Sequence, residues 1–206
     1  ELMEWQGYAP CTEVRGYNAH PKAAIDKLKT AAEIINSAKK PLIIAGQGVI
    51  ISEAREEVEN LSQKSGIPVC LTMQGLGGFD PDHDNYVGIP GMHGNYSVNI
   101  KMNECDAMIA IGMRFDDRVT GDVKQFAKQA KIVHIEIDEV EIDKVVKTAV
   151  GIHADAKEAL QALLPLIKEN NHADWIQTFK ELDKQEQEVV IKQAIHPESG
   201  SIRMGE

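Results

Sequence analysis

Along this chain, short unbroken apolar runs alternate with longer stretches in which apolar residues return every three or four positions. From Pro21 to Lys39 the positions Ile25, Leu28, Ala32 and Ile35 follow helical spacing. Leu42-Ile43-Ile44-Ala45, opened by Pro41 and closed by Gly46-Gln47-Gly48, reads as a strand buried on both faces. Ser52 is placed to cap a helix reaching about Lys64. Glu53, Glu56 and Glu57 lie near its positive end, and Ala54, Val58 and Leu61 form its inward stripe. Gly66-Ile67-Pro68 ends that helix, and Val69-Cys70-Leu71-Thr72 is a second strand. Strand, helix and strand in about thirty residues make a βαβ unit, with parallel pairing and a right-handed crossover.

A long loop interrupts the pattern between Met73 and Asn95. It holds Gly75, Gly77, Gly78, Gly88, Gly91 and Gly94, and a loop of that length inside a compact domain is usually functional. A helix at about Tyr96–Asn103 leads into the central strand, Cys105–Ile111. There follow a short helix near Val123–Lys128, a strand at Lys131–Ile137, a helix near Val140–Val146 and a strand near Ala149–His153. Asp155 with Glu158 makes a capping-box-like start for a helix over Ala156–Ile167. A polar helix over Ala173–Ala194 carries Trp175, Ile176, Phe179 and Leu182 near one side, and His196-Pro197 breaks it. The expected fold is α/β, with five or six parallel strands and helices on both faces over residues 21–168. A lead-in linker at 1–20 and a helical C-terminal extension at 169–206 flank it.

Composition narrows the function more than the fold. At 206 residues, 43% hydrophobic and 26% charged, the chain reads as one sizeable soluble domain. A formal net charge of −10 without any basic run argues against nucleic acid and against an anionic membrane surface. The apolar runs are too short to span a bilayer. The start, Glu1-Leu2-Met3-Glu4-Trp5, lacks a signal peptide's basic and apolar regions, and its want of an initiator Met suggests a piece of a longer chain. Cys11, Cys70 and Cys105 show no C-x-x-C spacing, which points to a reducing, cytoplasmic setting. The seven histidines never fall into ligand spacing, so no metal site is expected. No G-x-S-x-G and no P-loop occur, and no nucleophile sits beside a base in sequence. On its own residues the chain is a binding domain rather than a complete active site.

The binding chemistry gathers where the strands end. Gly46-Gln47-Gly48, Thr72-Met73-Gln74-Gly75, Gly112-Met113-Arg114, Glu136-Ile137 and Asp155-Ala156 each follow or finish a strand. Open α/β sheets bind ligands along that edge. Helix starts there are expected to offer backbone N–H groups to phosphate, with Arg114 or Arg118 adding charge, and Glu136 to accept from ribose hydroxyls. Taken singly, Gly46-Gln47-Gly48 is a tight turn, because Ile51 stands where a dinucleotide fingerprint needs glycine. Four charged residues and one aromatic packed into Arg114–Arg118 are either a self-neutralising solvated turn or a site. Together these features suit an extended nucleotide lying across several strands.

Arg114-Phe115-Asp116-Asp117-Arg118-Val119-Thr120-Gly121, preceded by Gly91-Met92-His93-Gly94, closely resembles the central domain of the acetolactate synthase (acetohydroxyacid synthase) catalytic subunit. Gly66-Ile67-Pro68-Val69, Gly75-Leu76-Gly77 and Lys131–Asp138 extend the likeness from about Lys39 to Leu164 in the family's order. The resemblance implies a Rossmann-like middle domain that binds FAD, a cofactor without net redox role there. The parent enzyme it implies joins two 2-keto acids with loss of carbon dioxide, using thiamine diphosphate and Mg2+ held by other domains. It would be a homodimer or homotetramer with a regulatory small subunit.

Carried over by position, the FAD contacts are Gly46, Gln47, Gly48, Thr72, Met73, Gln74, Gly91, Met92 and His93. Gly112, Met113, Arg114, Asp116, Glu136, Ile137, Asp155 and Ala156 complete them, and Arg15 is a looser match. Arg118 resembles the arginine that selects the second keto acid, with Asp117 holding it and Met92 at the same mouth. Gln47 replaces the middle glycine of the family's G-G-G, and Gln74 stands where it often has Met, an expectation of a narrower flavin channel. Two alternatives stay open. One is the same domain of glyoxylate carboligase or pyruvate oxidase, and the other is a free-standing nucleotide-binding or electron-transfer module.

Overall fold

A computed structural model describes residues 20–192, together with Gly7 and Asn18. The expectations for the lead-in linker, Arg15, Cys11 and the break at His196-Pro197 fall outside the described residues. The five strands placed in the sequence, joined by a sixth at Tyr86–Gly88, form a parallel sheet of six, and their order is β3-β2-β1-β4-β5-β6. In chain order the elements begin with α1 (Ile25–Ser37), β1 (Pro41–Ala45), α2 (Gln47–Ile51), α3 (Arg55–Ser65) and β2 (Val69–Leu71). Then come β3 (Tyr86–Gly88), α4 (Tyr96–Met102), β4 (Ala107–Ile111), α5 (Asp117–Thr120) and β5 (Lys131–Glu136). Last are β6 (Val150–His153), α6 (Ala156–Leu163) and α7 (Ala173–Glu186).

Residue alternation on each strand divides the core in two. Ile43, Ala45, Ile109, Ile111, Val133 and Ile135 face one layer, where they pack with Leu28, Leu61 and Leu160 of α1, α3 and α6. Leu42, Ile44, Met108, Ala110 and Ile132 face the other, with Val98 of α4 and Trp175 and Phe179 of α7. Every residue of β1 and β4 is buried, as two covered faces require. The helix of the expected C-terminal extension is therefore seated on the sheet, and Trp175 Nε1 donates to the Pro41 carbonyl at 2.9 Å.

Several local expectations need correction. Ser52 caps nothing: α2 occupies Gln47–Ile51, Glu53 takes φ 53°, and Ala54 precedes α3 without a side-chain cap bond. The Ser52 hydroxyl is buried without a partner. The helix expected near Val123–Lys128 is a turn in which Asp122 accepts from Lys124 N and Gln125 N and Ala127 takes φ 41°. The helix expected near Val140–Val146 shrinks to one 3-10 turn at Glu139–Glu141. Asp143 stops it at φ 62°, its carboxylate accepting from Thr148 N at 2.7 Å. The glycine-rich loop contains a strand, β3, paired with β2 across a register shift. Asp155 does cap α6, accepting from Lys157 N and Glu158 N.

The pairing register brings the strand ends together. Ala45 pairs with both Leu71 and Ile111, Ile111 pairs with Ile135, and Glu136 pairs with His153. From β1 the strands are added outward to β2 and β3 on one side, and from β4 to β5 and β6 on the other, so the winding order switches between β1 and β4 and a crevice opens at that point.

Candidate cofactor-binding cleft

A cleft of about 510 Å³ lies along these strand ends, and a small pocket of about 90 Å³ adjoins it. Gln47, Gly48, Thr72, Met73 and Gln74 line the cleft from the β1 and β2 ends. Gly112, Met113, Arg114 and Asp116 line it from the β4 end, and Glu136 and Ile137 from β5. Met92, His93 and Arg118 close the mouth. Asp155 and Ala156 lie in the small pocket, which shares Gly48, Gly112, Glu136 and Ile137 with the cleft. Three of the residues picked out in the sequence line neither cavity: Gly46, Gly91 and Asp117. Ile51, Ile89, Pro90 and Val119 line the cleft without having been singled out. Ile51, an apolar residue following the Gly46-Gln47-Gly48 turn, is 74% exposed.

The two glycine turns hold each other. Gly112 takes φ 56°, and a Cβ there would lie 2.6 Å from the Gly48 Cα. Gly48 N donates to the Gly112 carbonyl at 2.9 Å, which ties the β1 turn to the β4 turn. Some of the helix-start donors expected to meet phosphate are already engaged: the Gly48 N–H by Gly112, those of Arg118 and Val119 by Asp116, and those of Lys157 and Glu158 by Asp155. The arginines are the cationic groups of the cleft.

Those arginines are loosely held. Arg114 lies 3.9 Å from Asp116 and Arg118 lies 3.9 Å from Asp117, all four side chains being substantially exposed. Exposed pairs at such a distance contribute little stability, so both guanidiniums remain open to a ligand. The self-neutralising turn is therefore the poorer description of this segment.

Glu136 is built differently. It is 8% exposed, and its Oε1 accepts from Ile137 N at 2.9 Å and Asp138 N at 3.3 Å. Burial pushes its carboxyl above the usual range against those two bonds. Among the described residues Oε2 accepts no hydrogen bond, which leaves it to a ligand hydroxyl. Beneath it His134 is fully buried, and its Nε2 lies 2.9 Å from the Met113 carbonyl. A carbonyl only accepts, so the proton sits on Nε2. Nδ1 is buried without a partner, and burial lowers the imidazole's pKa. Phe115 packs edge-on against the same ring at 5.0 Å between centroids. His134 thus anchors the turn from which Arg114 and Asp116 project.

The set of groups fits an extended anion bearing hydroxyl groups: two open guanidiniums, the free oxygen of a largely buried carboxylate and a run of small residues along one edge. Gln47 and Gln74, expected from the sequence to narrow a ligand channel, both line the cleft. Among the described residues no cluster of His, Cys, Asp and Glu is suited to a metal ion, and no helix is long and apolar enough to cross a membrane.

Residues 28–163 match the family model for the thiamine pyrophosphate enzyme central domain. The probable acetolactate synthase large subunit of Methanocaldococcus jannaschii is 43% identical over 185 residues, 88% of this chain and 30% of that protein. The acetolactate synthase large subunit of Corynebacterium glutamicum is 39% identical over 180 residues, 85% of this chain and 29% of that protein. The acetolactate synthase isozyme 1 large subunit of Escherichia coli is 37% identical over 167 residues, covering 81% and 29%. The chain spans about three tenths of the length of these relatives. Matched over its whole sheet and along the whole ligand edge, this chain belongs to the thiamine pyrophosphate enzymes as their central domain.

Proposed function

We propose that this domain binds FAD along the strand-end cleft and serves the catalytic subunit of an acetolactate synthase. The observation that carries the reading is the segment Gly112–Arg118, which turns out of β4 and lines one cleft with Met92 and Glu136. Relatives that match most of this chain are named acetolactate synthases. Arg114 meets the flavin's pyrophosphate, Oε2 of Glu136 accepts from a ribose hydroxyl, and Asp155 and Ala156 bound the far end. Gln47, Gly48, Thr72, Met73, Gln74, His93, Gly112, Met113, Asp116 and Ile137 form the walls, while Gly46 and Gly91 support them from behind. Arg118, at the mouth with Met92, meets the carboxylate of the second 2-keto acid, and Asp117 orients Arg118.

Thiamine diphosphate with Mg2+, bound by other domains of the enzyme, supplies the electron sink for decarboxylation. This chain's part is to hold FAD, to shape the mouth and to place Arg118. One pyruvate loses carbon dioxide and its two-carbon remainder adds to the carbonyl of pyruvate or 2-ketobutyrate. Relatives named large subunits support a small regulatory partner, and we place the enzyme in the cytoplasm as a homodimer or homotetramer.

The test uses the full-length protein that carries this domain, supplied with pyruvate, 2-ketobutyrate, thiamine diphosphate, Mg2+ and FAD. Acetolactate and 2-aceto-2-hydroxybutyrate are the expected products, with a bound-flavin absorbance spectrum. Free aldehyde as the sole product would overturn the reading.

A further inference from the structure

The loop that carries Met92 and His93 has an unusual set of supports. Asn99, inside α4, grips Gly91 at both ends of its backbone: Oδ1 accepts from Gly91 N at 2.8 Å and Nδ2 donates to the Gly91 carbonyl at 2.8 Å. Asn95 grips Ile89 the same way, its Oδ1 accepting from Ile89 N and its own N–H donating to the Ile89 carbonyl, both at 2.9 Å. The next residue, Met92, donates its N–H to the Arg118 carbonyl at 2.8 Å. Gly91 is buried at φ 95°, and a Cβ there would lie 2.3 Å from that same carbonyl. Two segments far apart in sequence are thus joined at the point where Met92 and Arg118 enter the cleft.

Both asparagines give up the role their position favours. Asn95 is the N-cap of α4 and makes no side-chain cap bond there, although asparagine is among the best capping residues. The first N–H of the helix, that of Tyr96, is met by Glu186 of α7, 3.3 Å from each carboxylate oxygen. Asn99 occupies a helix interior, where asparagine is a poor choice. Local rules are broken in this way where a site demands it.

We propose that Asn99, seconded by Asn95, is a positioning residue for the second substrate. It fixes the Gly91–Met92 backbone against the Arg118 carbonyl, and so sets the opening between Met92 and Arg118 through which the second 2-keto acid presents its side chain. Asn99 touches no ligand; it acts through the loop. The inference rests on the acetolactate synthase reading for the identity of the substrate, but the clamp itself does not.

The test compares the full-length enzyme with Asn99→Leu, which lacks both bonds, and Asn99→Asp, which keeps only the acceptor. Amide hydrogen exchange over residues 89–94 is expected to speed about tenfold in Asn99→Leu and less in Asn99→Asp, a graded loss of protection. In competition between pyruvate and 2-ketobutyrate, the product ratio is expected to shift at least about fivefold in Asn99→Leu, through KM for the second keto acid, with FAD affinity within about twofold of the parent. Unchanged exchange over 89–94 overturns the clamp. Faster exchange with an unmoved product ratio overturns its role in selection. If Asn99→Leu does not fold, Asn99→Asp decides by the same two readings. A parent enzyme that forms no acetolactate sinks the functional reading and the substrate assignment together, and the exchange measurement then judges the clamp alone.

Discussion

Gly112 and His134 show how single positions hold the cleft open. At Gly112 a methyl group would collide with backbone, not with a side chain that can swing away, and the φ of 56° is already strained for alanine. Gly112→Ala is expected to destabilise the fold by about 2 kcal/mol or more, read as a lower urea midpoint. At His134, substitution by Leu leaves the Met113 carbonyl without its donor, a cost of about 1–3 kcal/mol, whereas Gln keeps an N–H within reach of it. The same residue makes a pH prediction. Burial holds the folded-state pKa of His134 below its ordinary 6.5, so in the window just below 6.5 the unfolded chain binds a proton that the folded one refuses. The stability this neutral imidazole contributes is complete above pH 6.5 and is lost as pH falls through that window. Glu136 acts oppositely: its carboxyl is raised above 4.5, so the folded state holds the extra proton and stability declines as pH rises from 4.5. Burial lowers the pKa of His172 as well, so urea midpoints measured across both windows should lose part of their fall below pH 6.5 in His134→Gln, while the contributions of His172 and Glu136 persist.

The helices and strands differ in how plainly the chain announces them. β1 and β4 were legible because two covered faces demand unbroken apolar runs, β5 from Ile132, Val133 and Ile135 despite His134 and Glu136 among them, and the helices over Ile25–Ser37 and Ala156–Leu163 because one covered face demands a stripe. β3 was not, since three residues, Tyr86–Gly88, sit among Pro, Asp and Gly and only Val87 is buried. The false helix at 140–146 had its apolar residues, but Asp143 in a left-handed conformation stops it, and no periodicity reports a backbone angle. Strand-end residues of the cleft were legible from topology alone; Asn95 and Asn99 were not, because their partners at Ile89 and Gly91 are brought to them by a loop of irregular course. α7 is a middle case, polar by composition yet anchored by Trp175 and Phe179. Trp175→Ala removes a buried ring together with the bond to the Pro41 carbonyl. A loss of about 3–5 kcal/mol is expected, with thermal unfolding well below that of the parent. Trp175→Phe, which keeps most of the ring volume, should fall in between.

The molecule as a whole is acidic, with a formal net charge of −10, and this sets a problem for a cofactor that carries a pyrophosphate. The summed field repels it, and part of the donor set at the strand-end helix starts is taken up by Asp116, Asp155 and the Gly112 carbonyl. What remains is local: two guanidiniums brought to the reversal point of the sheet by the turn after β4. Arg114, whose pairing with Asp116 is long and exposed, is then the main attraction for the anion. Arg114→Gln keeps length and hydrogen-bonding capacity while removing the charge, and FAD should bind about tenfold to a hundredfold more weakly, the worth of one charge-assisted contact. Flavin fluorescence titration of the full-length protein measures it. Salt separates charge from shape: at ionic strengths where screening acts over about 8 Å, the parent's affinity should fall as salt rises while the Arg114→Gln variant changes little. Equal salt slopes in the two proteins would mean that the pyrophosphate lies elsewhere on this edge.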